Sequence, residues 1–179
     1  MVKYARDYGA TAKALHWLVV VALLGQYLIG WLMPDVHRGP PGTAMGLHIS
    51  LGISILILIV FRVAWRQAHP VAQDTSLTVW QRNLSELVHW LLYALVLATT
   101  MSGWLFASAR GWVVSLFFVI PLPMLTSQNS ALIHRIDGLH QIAEWALLTV
   151  IIVHVGAALI HLLVYKDRIV QRMWSGKSS

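Results

Sequence analysis

Several histidines of this sequence lie where imidazole chemistry is least expected, inside long apolar runs. His140 and His154 share one such run, fourteen residues apart. At about 1.5 Å and 100° per helical residue, this interval gives a rise of about 21 Å and leaves both rings on nearly the same face. Because an ionisable side chain is costly in hydrocarbon, this arrangement predicts functional sites at two depths.

Two further histidines stand near the beginning of other apolar runs. His16 lies in the first turn of Ala14–Met33, and His48 lies near the start of Gly46–Trp65. Arg62 follows His48 by fourteen residues, so we expect it to share the His48 face at the opposite end of the run.

The composition identifies the class of protein that must position these groups. The chain has 179 residues, of which 58% are hydrophobic and 11% charged, and this is too apolar for an ordinary soluble domain. The absence of cysteine excludes a thiolate-bound iron–sulfur cluster and a Cys-x-x-Cys-His haem attachment. The net charge of +6 does not indicate nucleic-acid binding, because the basic residues flank apolar runs instead of forming one solvated face.

Four runs are long enough to cross about 30 Å of hydrocarbon as helices. We predict spans at about 14–33, 46–65, 87–107 and 138–165, all within one domain, 1–179. The predicted fold is therefore an all-α integral membrane four-helix bundle with up-down topology.

The apolar segment Trp112–Leu125 is too short for a fifth span and contains Pro121 and Pro123. Apolar stretches of this length are more often interfacial than spanning, so we expect it to lie along the outer face between helices 3 and 4. With four spans, ten of the thirteen basic residues share one side, which the positive-inside rule makes cytoplasmic. Both termini are then cytoplasmic, and the basic residues on the outer side are Arg38, Arg110 and Arg135.

This topology pairs the histidines by depth. His48 is level with His140 near the outer surface, and His16 is level with His154 near the cytoplasmic surface. A haem iron with two axial ligands needs an imidazole on each of two opposite sides, in an apolar slot between helices. The sequence thus predicts two haem b groups, one in each layer. Small residues that could leave room for a flat macrocycle are Gly25, Gly52 and the run Gly156-Ala157-Ala158.

Other interpretations of these residues stay open. Any one histidine can instead hydrogen-bond to a neighbouring helix or lie half-solvated at the interface. A tetrahedral zinc site is a poor alternative, because it needs three or four ligands within about 2.1 Å of one point and the pairs lie at different depths. Arg62 can either snorkel to the surface or pair with a haem propionate.

A second titratable group is expected on the cytoplasmic side. His161 lies seven residues beyond His154, on nearly the same face and about 10 Å nearer the cytoplasm. It could deliver a proton to a quinone as an electron arrives, or it could simply be an interfacial histidine. His89, at the start of the third span, has the same two interpretations.

The chain resembles the bacterial cytochrome b561 family, in the group that includes the cytochrome b subunits of nickel–iron hydrogenases. The resemblance covers nearly the whole chain and depends on the order and spacing of several motifs. These are ALHW at Ala14–Trp17, LHISLGISILIL…FR at Leu47–Arg62, LVHWLLYAL at Leu87–Leu95, TMSGW ending at Trp104, GLHQIAEW…VHVGAALIH in the last span, and KDRIVQRM at Lys166–Met173.

The resemblance implies a four-helix bundle that binds two haem b groups in the bacterial inner membrane. It puts His16, His48, His140 and His154 at the ligand positions and gives His161 a matching position. Similar family members are quinone-linked oxidoreductases, and some are described as oxidising superoxide at the outer face and reducing ubiquinone. The basic outer loops could attract a small anionic electron donor, but they are weak support for one, because the same charges are also typical of an ordinary solvated loop. These loops contain Arg38, Arg110, Arg135, His37 and His134.

Two other classes of function remain. The bundle could be the membrane anchor of a larger dehydrogenase or hydrogenase complex, relaying electrons from a docked redox protein. A haem-free ion or proton carrier could also use intramembrane histidines. Purified protein distinguishes the classes, since an anchor should be inert without its partner and a haem-free carrier should be colourless.

Overall fold

The computed structural model describes residues 8–33, 41–71, 77–128, 130–167 and 169–174. Four long helices form most of this part of the chain, and each is long and apolar enough to cross a membrane. The all-α four-helix architecture predicted from the sequence is therefore confirmed. The helices are α1 (Ala10–Leu32), α2 (Thr43–Ala68), α3 (Val79–Ala109) and α4 (Ser130–Ile160), which continues as a π-helix over His161–Tyr165.

Consecutive helices pack against each other, α1 on α2, α2 on α3 and α3 on α4. The two ends of the bundle differ in structure. We call the end where α1 begins and α4 finishes the terminal end, and the opposite end, which carries a short β-hairpin, the hairpin end.

The centre of the bundle is an apolar core to which all four helices contribute. Most other large apolar side chains face outward, including Val21 at 67% and Leu32 at 81% exposure. Such exposure is unusual for a soluble protein but suits a helix surrounded by lipid. The buried core cluster consists of Val19, Ile55, Ile59, Tyr93, Val96 and Leu147.

The apolar segment after α3 forms the hairpin, whose strands are β1 (Ser115–Leu116) and β2 (Ile120–Pro121). Phe117 and Phe118 form its turn with φ of 47° and 63°, a left-handed conformation that is strained for bulky residues. Ser50 of α2 is completely buried and holds this turn in place. Its hydroxyl accepts the Phe117 N–H at 2.9 Å and lies 3.1 Å from the carbonyl oxygen of Ser115.

The chain after α4 folds back across the terminal end. A single 3₁₀ turn, Gln171–Met173, brings it beside the beginning of α1. There the Trp17 indole N–H donates to the Met173 carbonyl at 2.9 Å, and the Lys13 ammonium donates to the Trp174 carbonyl at 3.0 Å. The first and last helices are thus tied together by the tail.

Candidate functional site

Two imidazoles face each other inside the hairpin end. His48 of α2 and His140 of α4 have ring centroids 6.5 Å apart, with their planes inclined at 77°. Imidazole nitrogen binds a metal at about 2 Å, and the ring centroid lies about 1 Å behind that nitrogen, so two rings sharing one metal have centroids about 6 Å apart. The spacing between His48 and His140 therefore fits two axial ligands of one metal.

The partners of His140 leave one of its nitrogens available. Its Nδ1 lies 3.0 Å from the Thr99 carbonyl oxygen and 3.2 Å from the Ser102 hydroxyl, both on α3. Because a carbonyl oxygen only accepts, Nδ1 carries the hydrogen and Nε2 keeps its lone pair. An imidazole that donates its other N–H to a carbonyl is typical of a metal-binding histidine.

The partners of His48 are less complete. Its Nε2 lies 3.1 Å from the side-chain nitrogen of Gln26 on α1. Among the described residues, His48 Nδ1 is buried without a hydrogen-bond partner, and so is Gln26 Oε1. Buried polar atoms are usually paired, so this is a site where a further interaction is expected.

Two glycines lie directly against the paired rings. A Cβ at Gly103 would be 3.0 Å from His140 Cε1, and a Cβ at Gly30 would be 3.6 Å from His48 Cε1. The small residues expected from the sequence have other neighbours, since Gly25 faces Leu51 and Gly52 faces Gln26, while nothing lies within 4 Å of a Cβ at Gly156. The available nitrogens and the glycines together fit a flat, apolar group held between two imidazoles.

A second set of imidazoles lies near the terminal end. The rings of His89 (α3) and His154 (α4) are 5.3 Å apart and nearly perpendicular, at 75°. His16 of α1 lies within electrostatic range of both and of Arg62. The expected partners His16 and His154 are therefore brought into one cluster, but the structure adds His89 and sets its ring against His154. His89 has its Nδ1 2.6 Å from the Ser85 carbonyl oxygen, so this nitrogen donates and Nε2 is left available.

Arg62 of α2 reaches the beginning of α1. Its guanidinium donates to the Ala12 carbonyl at 3.3 Å and lies within electrostatic range of His16 and His154. A cation next to this histidine cluster favours a carboxylate there.

His161 lies at the start of the π-helix and forms a pair with Asp167. The distance from His161 Nδ1 to Asp167 Oδ2 is 2.5 Å, and the other carboxylate oxygen accepts the Ile169 N–H at 3.1 Å. The two side chains line a cavity of 220 Å³ together with Leu77, Gln81 and Tyr165. π-helical turns within α-helices often occur at functional sites.

The basic residues that the sequence predicts on the outer side have different surroundings. The Arg110 guanidinium lies 5.3 Å from the Phe106 ring and 5.0 Å from the Trp112 ring, so it packs on aromatic faces. His134 and Arg135 are exposed at the beginning of α4. His37 and Arg38 lie outside the described residues. Within those residues, no three side chains of the types that ligate metal ions converge on one point.

Sequence reasoning missed several residues around these sites. Nothing in the periodicity of α1 indicated that Gln26 would contact His48, and Asp167 follows the last span by only two residues. One signal was present for each: a carboxamide in the middle of an apolar span, and an acidic residue just after a span that ends with a histidine. The other residues near these sites that sequence reasoning missed are Gly30, Ser85 and Thr99.

Most of the chain is similar to known proteins of one family. Residues 7–176 match the family model of prokaryotic cytochrome b561. The chain is 30% identical to cytochrome b561 homolog 2 of Escherichia coli K12, over 96% of this chain and 93% of that protein. It is 26% identical to a probable superoxide oxidase, CybB, of Yersinia pestis, over 96% of this chain and 98% of that protein. A cytochrome b562 of Cereibacter sphaeroides is also 26% identical, over 89% of each chain.

Proposed function

This chain belongs to the prokaryotic cytochrome b561 family of membrane electron-transfer proteins, and we propose that it binds two haem b groups and passes electrons through them to ubiquinone. The observation that carries the proposal is the pair of imidazoles, His48 and His140, facing each other at 6.5 Å. A haem whose axial positions are both filled by imidazole has no open position for a substrate and transfers single electrons.

In this proposal, His48 and His140 bind the haem at the hairpin end. The Thr99 carbonyl accepts the Nδ1 hydrogen of His140 and holds its ring with Nε2 available. Gly30 and Gly103 keep the space beside the rings free of side chains, so that a macrocycle can approach both.

We assign the second haem to His16 and His154 at the terminal end. The guanidinium of Arg62, within electrostatic range of both, would pair with a haem propionate. His89 would line the same site. Between the two layers lies the apolar core, which keeps water out of the path.

The quinone would bind at the terminal end, at the cavity beside His161. The imidazole has its Nδ1 engaged by Asp167, so Nε2 is the nitrogen that can give a proton to a quinone oxygen. The proposal makes this end cytoplasmic, consistent with the excess of basic residues there.

The electron donor that the relatives suggest is superoxide, from the name of the Yersinia pestis protein. Two superoxide anions would give two dioxygen molecules and two electrons, and these electrons with two protons would reduce one ubiquinone to ubiquinol. The exposed Arg135 would add positive charge at the hairpin end, which attracts an anion.

The test is a reduced-minus-oxidised spectrum of the purified protein with haem quantitation, followed by turnover with superoxide and ubiquinone-1. We expect two haem b per chain and superoxide-dependent formation of ubiquinol. Two haems without turnover would instead favour an electron-relay subunit of a larger complex, and colourless protein would overturn the proposal.

A further inference from the structure

Gln26 is a polar side chain in the middle of an apolar helix, and we propose that it is a positioning residue for the haem at the hairpin end. Its carboxamide oxygen would accept the N–H of His48 that does not face the metal. This inference rests on the proposed function, because it assumes that His48 is a haem ligand.

The geometry points to a hydrogen bond between these two residues. Gln26 Nε2 and His48 Nε2 are 3.1 Å apart, and in the described part of the chain Gln26 is the only hydrogen-bond partner of the His48 side chain. A half-turn of the carboxamide exchanges its nitrogen and oxygen without moving the rest of the residue. Oxygen would then stand where the nitrogen stands, within reach of an imidazole N–H.

Two buried atoms without hydrogen-bond partners also support a hydrogen bond between Gln26 and His48. Gln26 Oε1 is an acceptor without a donor, and His48 Nδ1 is a nitrogen without any partner. A neutral imidazole has one N–H and one lone pair. When a metal takes the lone pair of one nitrogen, the other nitrogen carries the hydrogen and needs an acceptor. Pairing Gln26 with a hydrogen on His48 Nε2 gives the imidazole its acceptor and leaves His48 Nδ1 for the metal.

The opposite ring already has such an acceptor. The Nδ1 hydrogen of His140 is received by the Thr99 carbonyl. A main-chain acceptor serves one ligand of this pair, and Gln26 would serve the other. A substitution can remove the Gln26 side chain but not the main-chain carbonyl of Thr99.

The surroundings of Gln26 favour this role over simple helix packing. Gly52 of α2 leaves room for the carboxamide, since a Cβ there would lie 3.4 Å from Gln26 Nε2. Burying a carboxamide with an unpaired oxygen is costly. An apolar side chain would fill this place between the helices without that cost, so the carboxamide is expected to serve the imidazole beside it.

An acceptor on the far nitrogen makes an imidazole a stronger electron donor, which stabilises the oxidised iron and lowers its potential. Gln26→Leu should therefore raise the midpoint potential of one haem and leave the other unchanged. Gln26→Met, which keeps the length of the side chain, should do the same and serves if the leucine variant does not fold. Gln26→Glu keeps an acceptor and should not raise that potential.

The measurement is a spectroelectrochemical titration of the purified holoprotein, with electron paramagnetic resonance to follow the axial imidazoles. Tyr27→Phe is the matched control, because it removes one hydrogen bond from the neighbouring residue, to the Glu144 carbonyl, 2.8 Å away. Both potentials should stay unchanged in that variant.

The outcomes separate the inference from the proposed function. Wild-type protein without haem, or a His48→Ala variant that keeps both haems, would overturn the assignment of His48 as a ligand. Gln26→Leu and Gln26→Met proteins that keep two haems with unchanged potentials and resonance spectra would overturn the role of Gln26 alone. A fall in thermal stability without a change in either potential would mean that Gln26 serves helix packing.

Discussion

His161 and Asp167 form a carboxylate–imidazole pair across the last turn of the bundle, with Nδ1 and Oδ2 2.5 Å apart. The π-helix over His161–Tyr165 and the left-handed Lys166 turn the chain back, so that Asp167 reaches the histidine six residues earlier. The carboxylate therefore fixes the orientation of the imidazole ring.

Asp167→Asn should therefore slow quinone reduction by about 10- to 100-fold, the usual effect of removing a partner that orients a functional histidine. The haem spectrum should not change, because Asp167 is not in either histidine layer. Steady-state kinetics with ubiquinone-1 would check this prediction. Asp137→Asn is the matched control, since Asp137 accepts a hydrogen bond from Gln141 near the hairpin end instead. Equal losses in the two variants would contradict a special role for Asp167.

His48→Ala and His140→Ala should each remove one haem, and it should be the same haem. The reason is that the two rings face each other 6.5 Å apart and would share one iron. Pyridine haemochrome quantitation should fall from two haems per chain to one, with identical residual spectra. Residual spectra that differ between the two variants would show that the residues serve separate sites.

The terminal end allows a sharper test, because His16 lies within electrostatic range of both His89 and His154. If His16 and His154 hold the second haem, His16→Ala should lose it while His89→Ala keeps both. The ring of His89 nevertheless lies 5.3 Å from that of His154. Haem content of the two variants decides between them, and a loss on replacing His89 with retention on replacing His16 would exchange their roles.

Gly103→Leu should block the haem at the hairpin end. Even a Cβ at this position would lie 3.0 Å from His140, and a larger side chain would occupy the space beside the ring. Absorbance spectra should then show one haem in place of two. Gly156→Leu is the control, because nothing lies within 4 Å of a Cβ there. Retention of both haems in the Gly103 variant would mean that the macrocycle does not approach this face.

Much of this architecture could be predicted from the sequence. Apolar length predicted the four helices, and their up-down topology predicted that His48 and His140 would stand at one level. The segment after α3 was correctly expected not to cross, although its short strands and the left-handed Phe117 and Phe118 were not foreseen.

Contacts that depend on the rotation of one helix against another could not be predicted. Periodicity gives the face of each helix but not the neighbour it meets, so the contact of His89 with His154 and that of Gln26 with His48 emerged only in three dimensions. The Asp167 pairing was missed for a different reason. A π-helical turn shifts the register of the residues beyond it, and the pattern of apolar residues carries no mark of that shift.

The tail that binds α1 through Met173 and Trp174 has a practical consequence for labelling. Because the last described residue lies beside Lys13, the chain enters and leaves the bundle at neighbouring points. Halves of a split fluorescent reporter fused before α1 and after the tail should therefore reassemble within a single molecule. Fluorescence should then appear only on the side of the membrane where the terminal end lies.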